Sequence, residues 1–367
     1  MGEWGIEKEI TTQEEIAAIE REIRQLEEGK GKSYKSKIDL SEELGLKDNQ
    51  DTVDEPIFYT ATQIKQVKKD RSQIVPSGIN LIDKKIMGFN LGELSIWSGT
   101  NGSGKSSLLS QLALESIDNN FNVALFSGEL RADRVLNWVQ LQASRKELVK
   151  QTEYDNYYIV PSDVRSKVNK WLDSKLFIYN NNKGLSVEGV IKAIDDCIVK
   201  NNIKVVIIDN LMALSLSSMK GEKYDRQTDL VIALSGLAKK RNTHIHFVCH
   251  PRKTLGFIRK QDIAGSSDLG NIADNVFIVH RVNNDFKKSI KEFLGIKDDS
   301  PLLRFDNCIE ISKNRDMGIS DSFIGLYFEK ETKRFLNTQI ENKHYGWEGF
   351  VQVNEETIPF KREGESA

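Results

Sequence analysis

Short apolar runs alternate with longer amphipathic stretches over the middle of the chain, from Pro76 onward. The runs have the length of buried strands, and the stretches between them carry apolar residues at helical spacing. This alternation is typical of a mainly parallel sheet with helices on both faces, so the sequence predicts an α/β fold. The predicted strands are 94–97, 122–127, 175–179, 204–209, 244–249, 275–280, 308–312 and 323–328. The predicted helices are 107–117, 132–150, 187–200 and 228–241, with a helical insertion up to residue 171.

The first 75 residues follow a different pattern. Ile16, Ile19, Ile23 and Leu26 recur at heptad a/d spacing in a charged stretch, which predicts a short amphipathic helix. Its apolar stripe could dock on another subunit or cover its own domain, and the sequence leaves both interpretations open. Polar and acidic residues follow it as a linker. We therefore divide the chain into a helical arm and linker (1–75), a folded α/β domain (76–340) and a C-terminal tail (341–367).

Composition narrows the class of protein. Hydrophobic residues make up 39% and charged residues 29% of the 367 residues, as expected for a soluble globular protein. The net charge of −2 shows no overall basic excess, so any nucleic-acid site must be local. The three cysteines lie far apart in the sequence and predict a reducing environment. No apolar run has the length of a membrane span, so we expect no membrane association.

A glycine-rich stretch after the first long apolar run carries the strongest chemical signal. Residues 99–106, GTNGSGKS, fit the phosphate-binding pattern G-x-x-x-x-G-K-[ST]. Gly102 and Gly104 allow positive φ, Lys105 supplies a charge for the β- and γ-phosphates, and Ser106 supplies a hydroxyl for Mg²⁺. A Gly/Ser surface turn is the simpler alternative, but the predicted strand before the loop and helix after it favour nucleotide binding. The residues expected to contact the nucleotide here are Gly99, Asn101, Gly102, Ser103, Gly104, Lys105, Ser106 and Ser107.

Three further polar residues follow predicted strands. Asp209 ends the run KVVIID, as a Mg²⁺-coordinating acid should, although a simple turn acid is common there. Glu129 follows NVALFS, and His250 ends HIHFVCH. Because ligands bind at the carboxyl ends of parallel strands, these side chains should meet at one edge of the sheet. His244 and His246 allow a metal cluster with His250, but no nearby carboxylate or cysteine spacing supports one.

Six sequence elements together point to a family. GTNGSGKSS, FSGE, VVIIDN, VCHPRK, GSSDLGNIADNVFIVHR and KNRDMG…GLYFEKETKRF occur in this order between about residues 77 and 335. Together they resemble the RecA-like helicase domain of the DnaB family, and most closely its phage primase-helicase and Twinkle-like branch. Only the first element is generic. No primase-like region precedes the helicase block in this sequence, which departs from the primase-helicases.

The resemblance implies a role for individual residues. Lys105, Glu129, Asp209 and His250 match the phosphate lysine, the water-activating glutamate, the Walker B acid and the γ-phosphate sensor. Arg315 matches an arginine finger donated into the neighbouring subunit's site, with Lys313 beside it. Phe328 and Arg281 match an aromatic that packs on the base and a nucleotide-contacting arginine. Ser106 and Asp209 would hold Mg²⁺, and ATP would be the nucleotide.

The resemblance also implies that loops facing a central channel contact single-stranded DNA. An ordinary solvated surface is the alternative for such Lys/Arg runs, and the near-neutral total charge fits both interpretations. The candidate residues are Lys220, Lys223, Arg252, Lys253, Arg259, Lys260, Gly265, Ser266 and Ser267.

We therefore expect an ATP-dependent replicative helicase. We also expect it to assemble as a ring-forming homo-oligomer, in the form of a hexamer. The resemblance implies 5′→3′ movement, a cytoplasmic location in a bacterium or phage-infected cell, and partners that include a separate primase and a replicative polymerase. Two alternatives keep the same core. One is a RecA/RadA-like recombinase filament, and the other is a non-motor ATPase that loads or assembles other proteins.

Overall fold

The structure is a computed structural model that describes residues 58–64, 73–210, 223–251, 257–263 and 268–349. The strands are β1 (Ile74–Val75), β2 (Phe89–Asn90), β3 (Leu94–Ser98), β4 (Asn122–Ser127), β5 (Lys150–Gln151), β6 (Tyr158–Ile159), β7 (Leu176–Ile178), β8 (Ile203–Asp209), β9 (His244–Val248), β10 (Asn275–Arg281), β11 (Asn307–Asn314), β12 (Ser322–Glu329) and β13 (Arg334–Leu336). The α-helices are α1 (Asn80–Ile86), α2 (Lys105–Asp118), α3 (Ala132–Ala143), α4 (Ser162–Leu172), α5 (Val187–Asn201), α6 (Lys223–Arg241), α7 (Asp268–Ile272) and α8 (Asn284–Leu294). The predicted N-terminal helix and most of the predicted tail lie outside the described residues.

A nine-stranded mixed sheet organises the described part of the chain. Its strand order is β13-β12-β11-β10-β3-β9-β8-β4-β7. The six strands from β10 to β7 are parallel, and β11, β12 and β13 extend the sheet antiparallel beyond β10. Two small antiparallel pairs, β1 with β2 and β5 with β6, lie outside it. The prediction of a mainly parallel sheet flanked by helices is confirmed.

The central parallel strands are buried on both faces, as their apolar sequences require. All five residues of β3 and of β9 are buried. Trp97 stacks on Phe277 with ring centroids 4.3 Å apart, and Phe89 meets both rings edge-on. Helix α2 packs its apolar side chains into the same core. This core fixes the strand ends that carry the polar residues of the site.

The two histidines of β9 belong to this core. His244 Nδ1 lies 2.6 Å from the carbonyl oxygen of Asn90, so Nδ1 carries the proton and Nε2 accepts from the Ser95 hydroxyl at 2.9 Å. His246 Nδ1 accepts from the Trp97 indole at 3.1 Å. Burial lowers the pKa of both rings, to about 4 for His244. Within the described ranges, no group of three or more His, Cys, Asp or Glu side chains is arranged to hold a metal ion.

The helix predicted over residues 132–150 ends early, and that part of the prediction is wrong. Helix α3 stops at Ala143, and Ser144 takes an extended backbone. The carbonyl oxygen of Ala143 accepts the indole N–H of Trp347 at 2.9 Å, a partner about two hundred residues away in sequence. Beyond it the chain forms β5 and β6 before α4. A tertiary contact therefore accompanies the end of α3, and the local spacing of apolar residues could not predict it.

Residues 341–349, which we assigned to the tail, are packed against helix α2. The Tyr345 ring is fully buried, and its hydroxyl donates to Glu115 Oε1 at 2.8 Å. Lys343 forms an ion pair with the same carboxylate, and the Gly346 N–H donates to Asp118 at 2.7 Å.

No helix among the residues that the structure describes is long and apolar enough to cross a membrane.

Candidate nucleotide-hydrolysis site

Four neighbouring strands deliver the candidate residues to one edge of the sheet. Strands β3, β9, β8 and β4 lie side by side and parallel, so their carboxyl ends share this edge. Lys105, His250, Asp209 and Glu129 follow or end these strands in that order. The arrangement expected from the strand pattern is therefore present.

The loop between β3 and α2 has the shape of a phosphate cradle. Gly102 and Gly104 have φ of 73° and 98°, as predicted, and a Cβ on Gly104 would lie 2.7 Å from the Phe335 ring. The loop ends at the N-terminus of the 14-residue helix α2, where free N–H groups and the helix dipole favour an anion. The buried Ser103 hydroxyl has no hydrogen-bond partner among the described residues. These features fit a polyphosphate ligand.

Lys105 is buried at the start of α2. Its ammonium donates to the carbonyl oxygens of Gly99 at 2.8 Å and Thr100 at 2.9 Å. Burial lowers the pKa of Lys105, and the nearby carboxylates of Asp209 and Glu129 oppose that shift. The charge is thus held inside the loop, facing the position that a phosphate would take.

Ser106 and Asp209 supply oxygen ligands of the kind that Mg²⁺ prefers. The Ser106 hydroxyl donates to the Asp209 carboxylate, which brings the two groups together. Burial raises the pKa of Asp209, with a further increase from Glu129, while Ser106 and Lys105 lower it. A cation would offset this cost of a buried carboxylate, so the pair fits a Mg²⁺ site.

Glu129 and His250 meet through a third residue, Asn210. The Asn210 amide nitrogen lies 2.9 Å from Glu129 Oε1 and 2.5 Å from His250 Nε2, and those two atoms are 3.3 Å apart. The hydrogen bond from Asn210 is the largest cause of a lowered pKa of Glu129, followed by His250 and Lys105. Glu129 is therefore a carboxylate at neutral pH.

Asn210 is absent from our predicted site residues. Two signals in the sequence could have indicated it: it directly follows Asp209 at a strand end, and asparagine tolerates the left-handed backbone. Its φ is 75° in the structure. Glu129 itself is held by backbone contacts of its loop, because the Gly128 N–H donates to the Asp209 carbonyl at 3.0 Å.

Two predicted nucleotide contacts lie at the same edge. Arg281 ends β10, which pairs in parallel with β3, and Phe328 lies near the end of β12. Phe328 packs on Phe335 at 5.2 Å between ring centroids, and Phe335 is the ring beneath Gly104. The placement is compatible with contacts to the base, which stay a prediction.

Arg315 and Lys313 lie at the opposite edge of the sheet. Strand β11 runs antiparallel to β10, so Asn314 pairs with Asn275 at the amino end of the parallel strands. Arg315 donates to Asp274 Oδ1 at 2.7 Å and to the carbonyl oxygen of Asn271 at 2.8 Å.

Lys313 has the same surroundings. Its ammonium donates to the carbonyl oxygens of Gly270, Asn271 and Ala273 at the end of α7. Burial, with the charges of Arg315 and Lys260, lowers the pKa of Lys313 to about 8. The structure does not bring this pair of cations to Lys105 of the same chain.

The predicted DNA contacts are only partly described. Lys220, Arg252, Lys253, Gly265, Ser266, Ser267 and the side chain of Lys223 lie outside the described residues. The Arg259 guanidinium pairs with Asp321, lies 3.4 Å from the buried Glu310 carboxylate, and stacks over Phe293 at 3.8 Å. Arg259 is thus engaged by its own chain. The stem of Lys260 packs beside Gly270, close enough to Lys313 to affect its pKa.

The fold and the site define a P-loop ATPase domain of the RecA-like kind. The family model of the DnaB-like helicase C-terminal domain matches residues 74–337. The chain therefore belongs to the DnaB-like helicase family, which confirms the resemblance; the phage and Twinkle-like branch stays a prediction.

Two solved structures are similar to this chain. One is the ATPase domain of another protein, 18% identical with a TM-score of 0.56, over 72% of this chain and 91% of that one. The other is a DnaB-like replicative helicase, described with its interactions with primase, 18% identical with a TM-score of 0.57, over 71% of this chain and 61% of that one. This chain thus spans about three fifths of the second protein. At this identity the likeness establishes the fold.

Proposed function

We propose that the chain is an ATP-dependent replicative DNA helicase that assembles as a hexameric ring, moves 5′→3′ on single-stranded DNA and parts the duplex. The observation that carries this proposal is the division of the hydrolysis machinery between two edges of the sheet. Lys105, Asp209, Glu129 and His250 share one edge, while Arg315 lies at the other. A complete site then needs two subunits. This suits a ring in which ATP hydrolysis in one subunit depends on its neighbour.

The residues that come from the same subunit as the bound ATP have separate roles in hydrolysis. The loop N–H groups and Lys105 bind the triphosphate, and Ser106 and Asp209 hold Mg²⁺, which when bound neutralises charge on the phosphates. Glu129 accepts a proton from the attacking water, for which its lowered pKa keeps it ionised. His250, which lies 3.3 Å from that carboxylate, contacts the γ-phosphate in this proposal.

Arg315 completes the site of the neighbouring subunit. An eight-residue strand spans roughly 23 Å, and β11 separates Arg315 from the edge that carries the P-loop. Asn307 at the first end of β11 donates to the Ser103 carbonyl oxygen at 2.8 Å. A guanidinium beyond the other end is out of reach of the chain's own γ-phosphate.

DNA contacts follow from the same proposal. Lys220, Lys223, Arg252, Lys253, Lys260 and the 265–267 backbone would track phosphates without reading bases, which a motor requires. Because its guanidinium is held by Asp321 and lies close to Glu310, we propose Arg259 as the anchor of its loop rather than a phosphate contact. A separate primase and a replicative polymerase remain expected partners.

A forked-duplex unwinding assay on the purified chain tests the proposal. The wild type should part the duplex with ATP, and Glu129→Gln should bind ATP while hydrolysis falls by roughly 10²–10⁴-fold. Glu153→Gln, an exposed glutamate on the β5–β6 connection, is the matched control and should keep full activity. ATPase activity without unwinding would favour a non-motor loader, and helical filaments instead of rings in electron micrographs would favour a recombinase.

A further inference from the structure

The buried side-chain amide of Asn210 connects the exposed Glu129 and the half-buried His250, the two side chains proposed to act at the γ-phosphate. The Asn210 side-chain nitrogen lies 2.9 Å from Glu129 Oε1 and 2.5 Å from His250 Nε2. A carboxylate is only an acceptor, so the NH₂ end of the amide must face Glu129. The same nitrogen also contacts Nε2 of His250. A single group therefore orients both partners.

The same contacts constrain the imidazole of His250. Its Nε2 atom lies 2.5 Å from the Asn210 amide nitrogen and 3.3 Å from Glu129 Oε1. The His250 ring is therefore held with Nε2 facing both partners.

Burial shows which of the three residues provides the restraint. Asn210 is 4% exposed, whereas the side chains of Glu129 and His250 are 56% and 33% exposed. An exposed glutamate loses up to about 2 kcal/mol of rotamer entropy when it is fixed, so a rigid partner is needed to hold it. Asn210 is anchored directly after β8 with φ of 75°, a backbone that asparagine accepts.

We propose that Asn210 is a positioning residue for ATP hydrolysis, which holds the Glu129 carboxylate and the His250 imidazole in the arrangement that hydrolysis needs. This inference rests on the proposed function, because it assigns the reaction step to Glu129. Asn210 acts through its two partners, and ATP binding depends on the loop at 99–106 instead.

The test compares Asn210→Gly with Asn202→Gly. Glycine removes the amide and keeps the left-handed backbone, and Asn202 also has positive φ but lies exposed at the end of α5. We expect Asn210→Gly to lower kcat by roughly tenfold to a hundredfold, the cost of misplacing a catalytic group by about 1 Å. KM for ATP should stay within about threefold, since the phosphate cradle is intact. Asn202→Gly should match the wild type.

A double-mutant cycle separates positioning from a general structural effect. If Asn210 acts through Glu129, adding Asn210→Gly to Glu129→Gln should change the residual single-turnover rate far less than it changes the wild-type rate. The same fold loss in both backgrounds, or a wild-type kcat in Asn210→Gly, would overturn the proposal. Should Asn210→Gly fail to fold, Asn210→Asp keeps the shape and removes the donor, and the same loss of kcat is expected. A wild-type rate in Glu129→Gln would instead contradict the proposed function.

Discussion

Lys105 and Arg315 lie at opposite edges of one sheet in this chain. Lys105 starts α2 beyond the carboxyl end of β3, and Arg315 follows β11, whose last residue, Asn314, pairs with Asn275 at the amino end of β10. Arg315 meanwhile donates to Asp274 Oδ1 at 2.7 Å. The two cations expected at one γ-phosphate are therefore separated within a subunit.

Stability should depend on pH through the buried His244. Its pKa is lowered from 6.5 to about 4 by burial, so below pH 6.5 the unfolded chain binds a proton that the folded chain does not. His244 therefore makes the folded protein less stable as pH falls from 6.5 toward 4. Relative to His244→Asn, the unfolding free energy of the wild type should fall by roughly 2 kcal/mol between pH 6.5 and 5. Urea denaturation at both pH values measures this.

Asp83 provides a control of opposite sign. Burial raises its pKa from 3.8 to about 6, so the folded chain binds the extra proton between those values and gains stability as pH falls. Relative to Asp83→Asn, the wild type should therefore gain stability between pH 6.5 and 5. Equal pH slopes for wild type, His244→Asn and Asp83→Asn would contradict both assignments.

Tyr345 should tie the segment 341–349 to the ATPase core. Tyr345→Phe removes the donor to the buried Glu115 carboxylate and should cost roughly 1–3 kcal/mol of unfolding free energy. Tyr345→Ala also empties a fully buried ring site, at a cost of roughly 3–5 kcal/mol. Chemical denaturation measures both. Ile340→Ser, at an exposed position nearby, should be close to neutral, and equal effects of all three would show that the segment does not contribute.

The N-terminal arm should contribute to assembly. If the stripe of Ile16, Ile19, Ile23 and Leu26 docks on a neighbour, deleting residues 1–55 should weaken the ring while the ATPase domain stays folded. Replacing the four stripe residues by serine should act like the deletion, and Glu20→Ser with Gln25→Ser should not. Sedimentation at dilute concentration measures the oligomer. An unchanged mass would show that the stripe covers its own domain or stays free.

The sequence predicted those parts of the site that local patterns determine. The P-loop conformation and the strand ends at Glu129, Asp209 and His250 follow from apolar runs and glycine positions, and the structure places them at one edge. The end of α3 could not be predicted, because Trp347 caps Ala143 from a distant part of the chain. Strand β13 is similarly fixed from outside, since Gln111 exchanges two hydrogen bonds with the Phe335 backbone.

The ion pairs that charged side chains form within the chain could not be predicted from the sequence either. Arg259 carries the same charge as Lys260, and only the fold shows that Arg259 pairs with Asp321 and lies near the buried Glu310. Asn210 is next to Asp209 in the sequence, but its contact with Glu129 depends on β4 and β8 being neighbours. Contacts between strands that are distant in sequence thus account for the residues we missed.

A subunit-mixing ATPase assay tests the central claim most directly. Arg315→Ala and Glu129→Gln should each be nearly inactive alone, since losing a finger of this type costs roughly 10³–10⁵ in rate. Arg304→Ala, an exposed arginine, is the control and should keep the wild-type rate. In mixed rings some interfaces join an intact Glu129 to a neighbour's intact Arg315, so activity should return on mixing and peak at intermediate ratios. The contradicting result has two parts, both obtained with subunits that demonstrably exchange. No activity returns at any mixing ratio, and diluting the wild type with either variant lowers the ATPase rate only in proportion. Arg315 would then not act on the neighbouring site, and the proposed division of the site between subunits would be wrong.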